Sequence, residues 1–201
     1  MPLLQGTSGS GDAAWTDALT SAITTTRGVA GGTALAIGGR AFAAIAASAN
    51  VTNTTTETPF STGAYTIPAG TFAAGNQLRF RAWGTTPNTN GTDTLIIRAR
   101  IGATGITGGI VCQTAAIDVA NADIFTLDGV VSIRTAGAGG TMVGSTLYVL
   151  GVPDTATGRS DTMASTALNT TLARDLTLTA EWSVANANNQ ASLDGFVVWV
   201  G

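Results

Sequence analysis

Arginines occupy the polar positions of two consecutive strand-like runs. Arg79 and Arg81 alternate with apolar residues in the first run, and Arg98 and Arg100 do so in the second. Because successive side chains of a strand point to opposite faces, each pair should project from one face. A guanidinium is suited to bidentate pairing with carboxylates at a partly desolvated interface. We therefore predict that these four arginines pair with acidic groups of a neighbouring subunit, and the alternative is a solvated sheet face.

The side chains that most enzymes use are scarce in this chain. Histidine and lysine are both absent, which excludes serine–histidine and cysteine–histidine constellations and a lysine base. The single cysteine, Cys112, is predicted to be a buried apolar residue because no histidine can activate it. A carboxylate pair of the glycan-hydrolase type remains possible, with Glu181 beside Trp182 resembling an acid next to a sugar platform. We expect no catalytic residue, and this hydrolase is the alternative.

Three loops could suggest a bound ion or phosphate. Residues 118–123 and 154–161 carry aspartates, but without the ligand spacing of a calcium loop. The glycine-rich residues 102–109 lack both the lysine and the following helix of a phosphate-binding loop. Zinc ligation by cysteine and histidine is excluded by composition. The expectation is that the protein has no metal site and no cofactor.

The composition indicates a protein that is covered by partners. Only 10% of the 201 residues are charged, and the formal net charge is −3. Since nucleic-acid binding needs clustered positive charge, a nucleic-acid partner is not expected. The chain shows no secretion signal and no stretch that could span a bilayer, so no membrane partner is expected. A surface of small neutral residues favours burial against neighbouring subunits.

From residue 50 onward the pattern is that of β-strands separated by turns rich in Gly, Asn and Asp. Eight or nine short strands without a long helix predict an all-β, jelly-roll-type β-sandwich over residues 50–201. Residues 151–174 are predicted to be a long exposed loop. The candidate strands are residues 51–57, 64–67, 78–83, 94–101, 109–114, 124–135, 141–150, 175–184 and 190–200.

Residues 1–49 are predicted to form an extended N-terminal arm and a lead-in segment. Leu3, Leu4 and Trp15 are isolated apolar anchors in a stretch rich in Gly, Ser and Thr. A short helix that begins at Asp12 and an arm laid over a neighbouring subunit are equally good accounts. Residues 34–49 fit helix and strand alike. Leu3, Leu4, Trp15 and the outward Trp83 join the four arginines as predicted interface residues.

Several stretches together resemble a β-sandwich found in virion proteins of tailed bacteriophages. They include Tyr65-Thr-Ile-Pro-Ala-Gly-Thr-Phe, Gly75-Asn-Gln-Leu-Arg-Phe-Arg-Ala-Trp-Gly, Asp93-Thr-Leu-Ile-Ile-Arg-Ala-Arg-Ile-Gly and Gly137-Ala-Gly-Gly-Thr-Met-Val-Gly. The resemblance covers residues 50–200 and is one of pattern, similar to capsid decoration (cement) proteins and to fibre or spike domains.

This resemblance implies a non-enzymatic homotrimer on the capsid exterior, made in the host cytoplasm, that bridges capsomers of the major capsid protein. A fibre, spike or tail module that binds a host glycan is the alternative. In that case Trp83, Trp182 and Trp199 would supply stacking faces, although core packing or interface burial is the favoured use of each. The carboxylate-based hydrolase is the second alternative.

Overall fold

The computed structural model describes residues 39–103, 105–152 and 157–201. Leu3, Leu4 and Trp15 of the predicted arm lie outside these residues. The described chain is almost entirely β-structure, with one 3-10 turn at Gly105–Thr107. In this part of the chain, no helix has the length and apolar character needed to cross a membrane.

Twelve strands are found in the described residues. They are β1 (Gly39–Ala44), β2 (Val51–Thr52), β3 (Thr58–Ile67), β4 (Gln77–Asn88), β5 (Thr94–Gly102), β6 (Gly109–Gln113), β7 (Ile117–Asp118), β8 (Asp123–Thr135), β9 (Thr141–Val152), β10 (Thr157–Ala167), β11 (Arg174–Trp182) and β12 (Gln190–Val200).

The strands form two antiparallel sheets that pack face to face as a sandwich. The larger sheet has the order β1-β12-β4-β8-β9-β10, with β2 also paired to β12. The smaller sheet has the order β3-β11-β5-β6, with β7 also paired to β5. Chain neighbours such as β3 and β4 therefore lie in different sheets. The two four-strand orders β1-β12-β4-β8 and β3-β11-β5-β6 are those of a jelly roll, and the β9–β10 hairpin widens the larger sheet. The predicted fold class is confirmed.

Alternation of apolar and polar residues directs one face of each sheet into a shared core. Along β4, Leu78, Phe80 and Ala82 are buried, whereas Arg79 and Arg81 are exposed. Strand β5 alternates in the same way, with its apolar residues buried between the sheets. Burial of such side chains, each contributing roughly 1.5–3 kcal/mol, is the main stabilising term. Cys112 is buried, as predicted.

Two core glycines lie directly opposite aromatic residues on the neighbouring strand. Gly129 pairs with Phe80, and Gly84 pairs with Phe125. A Cβ at Gly129 would stand 2.2 Å from the Phe80 ring, and one at Gly84 would stand 2.4 Å from the Phe125 ring. Each ring therefore lies over the backbone of its glycine partner, a contact that a larger residue would abolish.

The larger sheet includes chain that the sequence patterns placed elsewhere. Strand β1 precedes residue 50 and pairs with β12, so the sandwich begins earlier than the predicted boundary. Residues 151–174, predicted to be a loop, contain the last residues of β9 and all of β10, which pairs with β9. The β10 segment is rich in Thr, Ser and Ala and lacks a strong apolar alternation, so its sequence carried no clear strand signal.

Pro59 lies within a strand, a position that proline seldom takes. It lies at the second position of β3, opposite Thr179 of β11. Because β3 is at the edge of the smaller sheet, the missing backbone N–H of a proline is tolerated there.

Candidate functional site

The four arginines of the two Arg-x-Arg runs lie on opposite sides of the molecule. Arg79 and Arg81 are on β4 of the larger sheet, and Arg98 and Arg100 are on β5 of the smaller sheet. All four point away from the core, as predicted. Because the two sheets share that core, their outer faces look in opposite directions. The four side chains therefore do not form one binding site.

Arg98 and Arg100 are held in an ion cluster on the smaller sheet. Arg100 donates to both oxygens of Glu57, from Nε at 2.6 Å and from Nη2 at 2.7 Å. Arg98 contacts the same carboxylate at 3.3 Å and also donates to Glu181. The Thr179 hydroxyl donates to Glu57 at 2.6 Å. Glu57 thus ties the start of β3 to both β5 and β11.

The cluster is largely withdrawn from solvent. The side chains of Glu57 and Arg98 are each 11% exposed. Burial by itself raises the pKa of Glu57, but the hydrogen bonds from Arg100 and Thr179 and the two arginine charges outweigh it. The pKa of Glu57 therefore lies below its ordinary value, and the hydrogen bond with Glu57 raises that of Arg100. These groups are fully ionised at neutral pH.

The carboxylate partners of Arg98 and Arg100 come from their own chain. The prediction that these two arginines pair with a neighbouring subunit is therefore replaced by intrachain pairing with Glu57 and Glu181. The predicted sugar platform beside Glu181 is also absent. Trp182 is 1% exposed within the core, and its indole N–H donates to the Val51 carbonyl at 3.1 Å.

The outer face of the larger sheet is different, because its polar groups are loosely held. Arg81 and Asp128 lie opposite each other on β4 and β8, at 3.7 Å, and both side chains are about half exposed. Arg79 makes a long hydrogen bond of 3.4 Å to Gln77. An exposed pair of this kind contributes about 0–1 kcal/mol to stability. These groups can therefore change partners at little cost.

Two adjoining grooves cross this face, and each contains one tryptophan. The first has a volume of about 700 Å³ and is lined by Gln77, Arg79, Asp128, Val130 and Trp199, together with Gly75, Phe80, Gly129, Val200 and Gly201. The second has a volume of about 520 Å³. It is lined by Arg81, Trp83, Thr85, Ile124, Phe125, Thr126, Asp194 and Val197, together with Gly84.

The indole of Trp83 lies face-on against the backbone of Gly195, its direct partner on β12. A Cβ at Gly195 would stand 2.1 Å from Cζ2 of the indole and 2.4 and 2.6 Å from its ring neighbours Cε2 and Cη2. These nearly equal distances place the glycine over the ring face. Trp83 is 39% exposed. One face of the indole is therefore covered by the sheet, and the other is available to a ligand.

Two large apolar side chains add to this face, one in the second groove and one beyond both grooves. Ile124 on β8 is 45% exposed and Leu147 on β9 is 57% exposed. Leu147 lies opposite Asp128, one strand further from β4. Exposed apolar residues that are grouped on one face of a sheet are typical of a surface that binds a partner or ligand.

Sequence patterns missed three residues that the fold brings into these sites. Glu57 was one of only two glutamates in the chain, and both now contact Arg98. Asp128 and Gly195 carried no signal, because their importance comes from cross-strand pairing with Arg81 and Trp83. The only indication in the sequence was that the chain has just two glutamates while its arginines are concentrated on two strands, which is consistent with pairing between them.

Comparison with known proteins yields little. No protein-family model matches the chain, and no curated protein matches it. A solved structure with some likeness is the CBM2 module of the evolved Dit protein of Lactobacillus casei BL23 phage J-1. It has 11% sequence identity and a TM-score of 0.32, and the match covers 68% of each chain. That TM-score is too low to establish a shared fold.

Proposed function

We propose that this chain is a non-enzymatic structural protein of a tailed-phage virion, and specifically a homotrimeric decoration protein on the capsid exterior that bridges subunits of the major capsid protein. The observation that carries the proposal is the outer face of the larger sheet. Trp83, Ile124 and Leu147 are exposed there together. A chain with only 10% charged residues adds to this argument, because its weakly charged surface favours burial against protein neighbours.

A decoration protein acts by mass action. It binds the assembled shell and not the separated subunits, so its binding free energy stabilises the shell. An obligate interface of this kind commonly buries about 2,000 Å² or more. The broad outer face of the seven-strand sheet can supply a large part of such an area.

The absence of catalysis in this proposal is supported by the two glutamates. A glycan hydrolase needs one carboxylic acid with a raised pKa. The pKa of Glu57 is lowered instead, and Glu181 is engaged by Arg98. Trp182, which would have had to stack on the sugar, is in the core.

The test is binding to purified expanded capsids that lack this protein. The chain should cosediment with them saturably and raise the temperature at which they open. Arg79→Ala with Arg81→Ala should weaken cosedimentation, while the unfolding midpoint of the isolated chain stays close to that of the wild type. Unchanged cosedimentation would remove these arginines from the interface. No cosedimentation of the wild type would contradict the decoration function, and sedimentation equilibrium would test the trimer.

A second candidate function is a tail, fibre or spike module that binds a host glycan. The observation that favours it is the presence of one tryptophan in each of two grooves on the same face. Retention of the chain on host cell-surface polysaccharide, without cosedimentation with capsids, would select this function over the first.

A further inference from the structure

The two grooves on the larger sheet meet at a single ion pair. Asp128 lines the first groove and Arg81 lines the second. Together the two grooves form one continuous strip, with Trp199 at one end and Trp83 at the other. Trp199 pairs with Arg79, which is four residues before Trp83 on the same strand. At about 3.3 Å per residue the two indoles are roughly 13 Å apart along the strands. An oligosaccharide would bridge that distance, whereas a single sugar would not.

The indole of Trp83 can serve as a flat platform, and that of Trp199 is partly exposed in the first groove. Trp83 is stacked against Gly195, so it covers the sheet and offers its other face. A tryptophan that anchors a protein interface instead inserts into a pocket of the partner. A flat aromatic face suits a flat apolar ligand surface, such as the C–H face of a pyranose ring.

The centre of the strip is polar and can form hydrogen bonds. Arg81 and Asp128 are about half exposed and 3.7 Å apart, so each has unused hydrogen-bonding capacity. Asp194 and Gln77 add further acceptors or donors at the two ends. The core of a protein interface is depleted of charged residues, whereas this strip has charge at its middle. Alternating platforms and hydrogen-bonding groups match a polyhydroxylated chain.

We propose that the strip Trp199–Arg81/Asp128–Trp83 is one extended binding site for a polysaccharide chain of neutral hexoses. The indoles stack on sugar rings at the two ends, and the ion pair exchanges its internal contact for hydrogen bonds to hydroxyl groups between them. Gly195 is a positioning residue, because it allows the Trp83 ring to lie flat. This inference rests on the second candidate function and names its site and its ligand class.

The test is affinity electrophoresis of the whole chain through gels that contain a soluble polysaccharide. The probes are barley β-glucan, hydroxyethyl cellulose, glycol chitin, galactomannan and dextran. The wild type should be retarded by at least one polymer. Trp83→Ala and Trp199→Ala should each weaken its association about tenfold, as expected for loss of one stacking contact. Intrinsic fluorescence should change when an oligosaccharide of that polymer is added.

Leu147→Ala is the matched control, because Leu147 is exposed on the same face but lines neither groove. It should leave retardation unchanged. Gly195→Ala should weaken retardation although it removes no side chain, because its methyl group displaces the indole of Trp83. Thermal unfolding of each variant should show that the fold is retained, and the two tryptophan variants decide the matter if Gly195→Ala fails to fold.

The outcomes separate the site from the function. If no polymer retards the wild type but host cell-surface polysaccharide retains it, the ligand class is wrong and the candidate function stands; if neither retains it, both are wrong. If the wild type and both tryptophan variants are retarded to the same extent, the protein binds a glycan but this strip is not the binding site. If Leu147→Ala and the tryptophan variants instead reduce capsid cosedimentation alike, the face is a protein interface and the proposal fails.

Discussion

The two outer faces of this sandwich carry the same Arg-x-Arg pattern and use it in opposite ways. On the smaller sheet, Arg98 and Arg100 form ion pairs with Glu57, whose side chain is only 11% exposed. On the larger sheet, Arg79 and Arg81 remain exposed, and Arg81 has only a loose contact with Asp128.

The difference shows that the alternation along a strand determines which face a side chain points to, but not which groups it contacts there. On the smaller sheet the segment before β3 brings Glu57 over β5, and the 3-10 turn brings the Gly108 carbonyl to Arg100 at 2.9 Å. The chain therefore covers one face itself. The other face keeps its tryptophans and arginines available, and this is why we place binding there.

The largest expected effect on stability comes from removing the carboxylate of Glu57, which contacts Arg98 and Arg100 on the outer face of the smaller sheet (the covered face). Glu57→Ala should lower the free energy of unfolding by about 2 kcal/mol, because it leaves Arg100 without its carboxylate partner and removes one of the two carboxylates that contact Arg98. This loss of stability is smaller than that for breaking a fully buried ion pair, because the Glu57 side chain remains 11% exposed. Urea unfolding measures the change.

Asp128→Ala is the matched variant on the other face, and it should cost no more than about 0.5 kcal/mol. Equal losses for the two variants would contradict the contrast between a structural and an available ion pair.

Glycines opposite aromatic rings should show a similar contrast between core and surface. Gly129→Ala should destabilise the fold by about 2 kcal/mol, because the Phe80 ring is enclosed in the core and cannot move away. Gly195→Ala should cost less than about 1 kcal/mol, because Trp83 can move into solvent. Thermal and denaturant unfolding of both variants would test this. A larger loss at Gly195 would mean that the Trp83 contact stabilises the fold more than we infer.

The stability of the covered face should depend on pH through Glu57. Its pKa in the folded protein is below the ordinary value of 4.5, so its ionised form stabilises the fold. That contribution is complete above the ordinary value and is lost as pH falls through the lowered one. The loss of stability between pH 7 and pH 3 should therefore be smaller in Glu57→Gln than in the wild type. Identical pH profiles would show that this carboxylate does not couple to folding.

The smallest effect is expected on the exposed face. Leu147→Ala should change the free energy of unfolding by no more than about 0.5 kcal/mol, because the side chain is 57% exposed in the isolated chain. Denaturant unfolding again provides the measurement. A loss above 1.5 kcal/mol would indicate that Leu147 is covered within the chain itself.

Sequence patterns were sufficient for the fold class and for most strands. The alternation in β4 and β5 was predicted residue by residue, and β12 was predicted with its observed bounds. Strand β10 was missed because its segment, rich in Thr, Ser and Ala, shows no clear apolar alternation. The start of the sandwich at β1 was missed because an Ala- and Gly-rich segment has no clear period.

The candidate site was predictable only in part. That Trp83 faces outward followed from the period of the strand. That it stacks on Gly195 required the register between β4 and β12, which depends on residues more than a hundred positions apart. The burial of Trp182 beside an exposed glutamate also follows from strand period, yet the predicted sugar platform needed both side chains on one face.

The sequence by itself determined that this protein would be a sandwich of strands with few charges, because period-two alternation and composition are local properties of the chain. It also determined which side chains would leave the core. Only the tertiary structure decided which of the two arginine pairs would be neutralised and that Trp83 would stack on Gly195. The reason is that sheet order and cross-strand register bring together distant residues, and the contacts between them, not the residue types alone, decide whether a charge is structural or available.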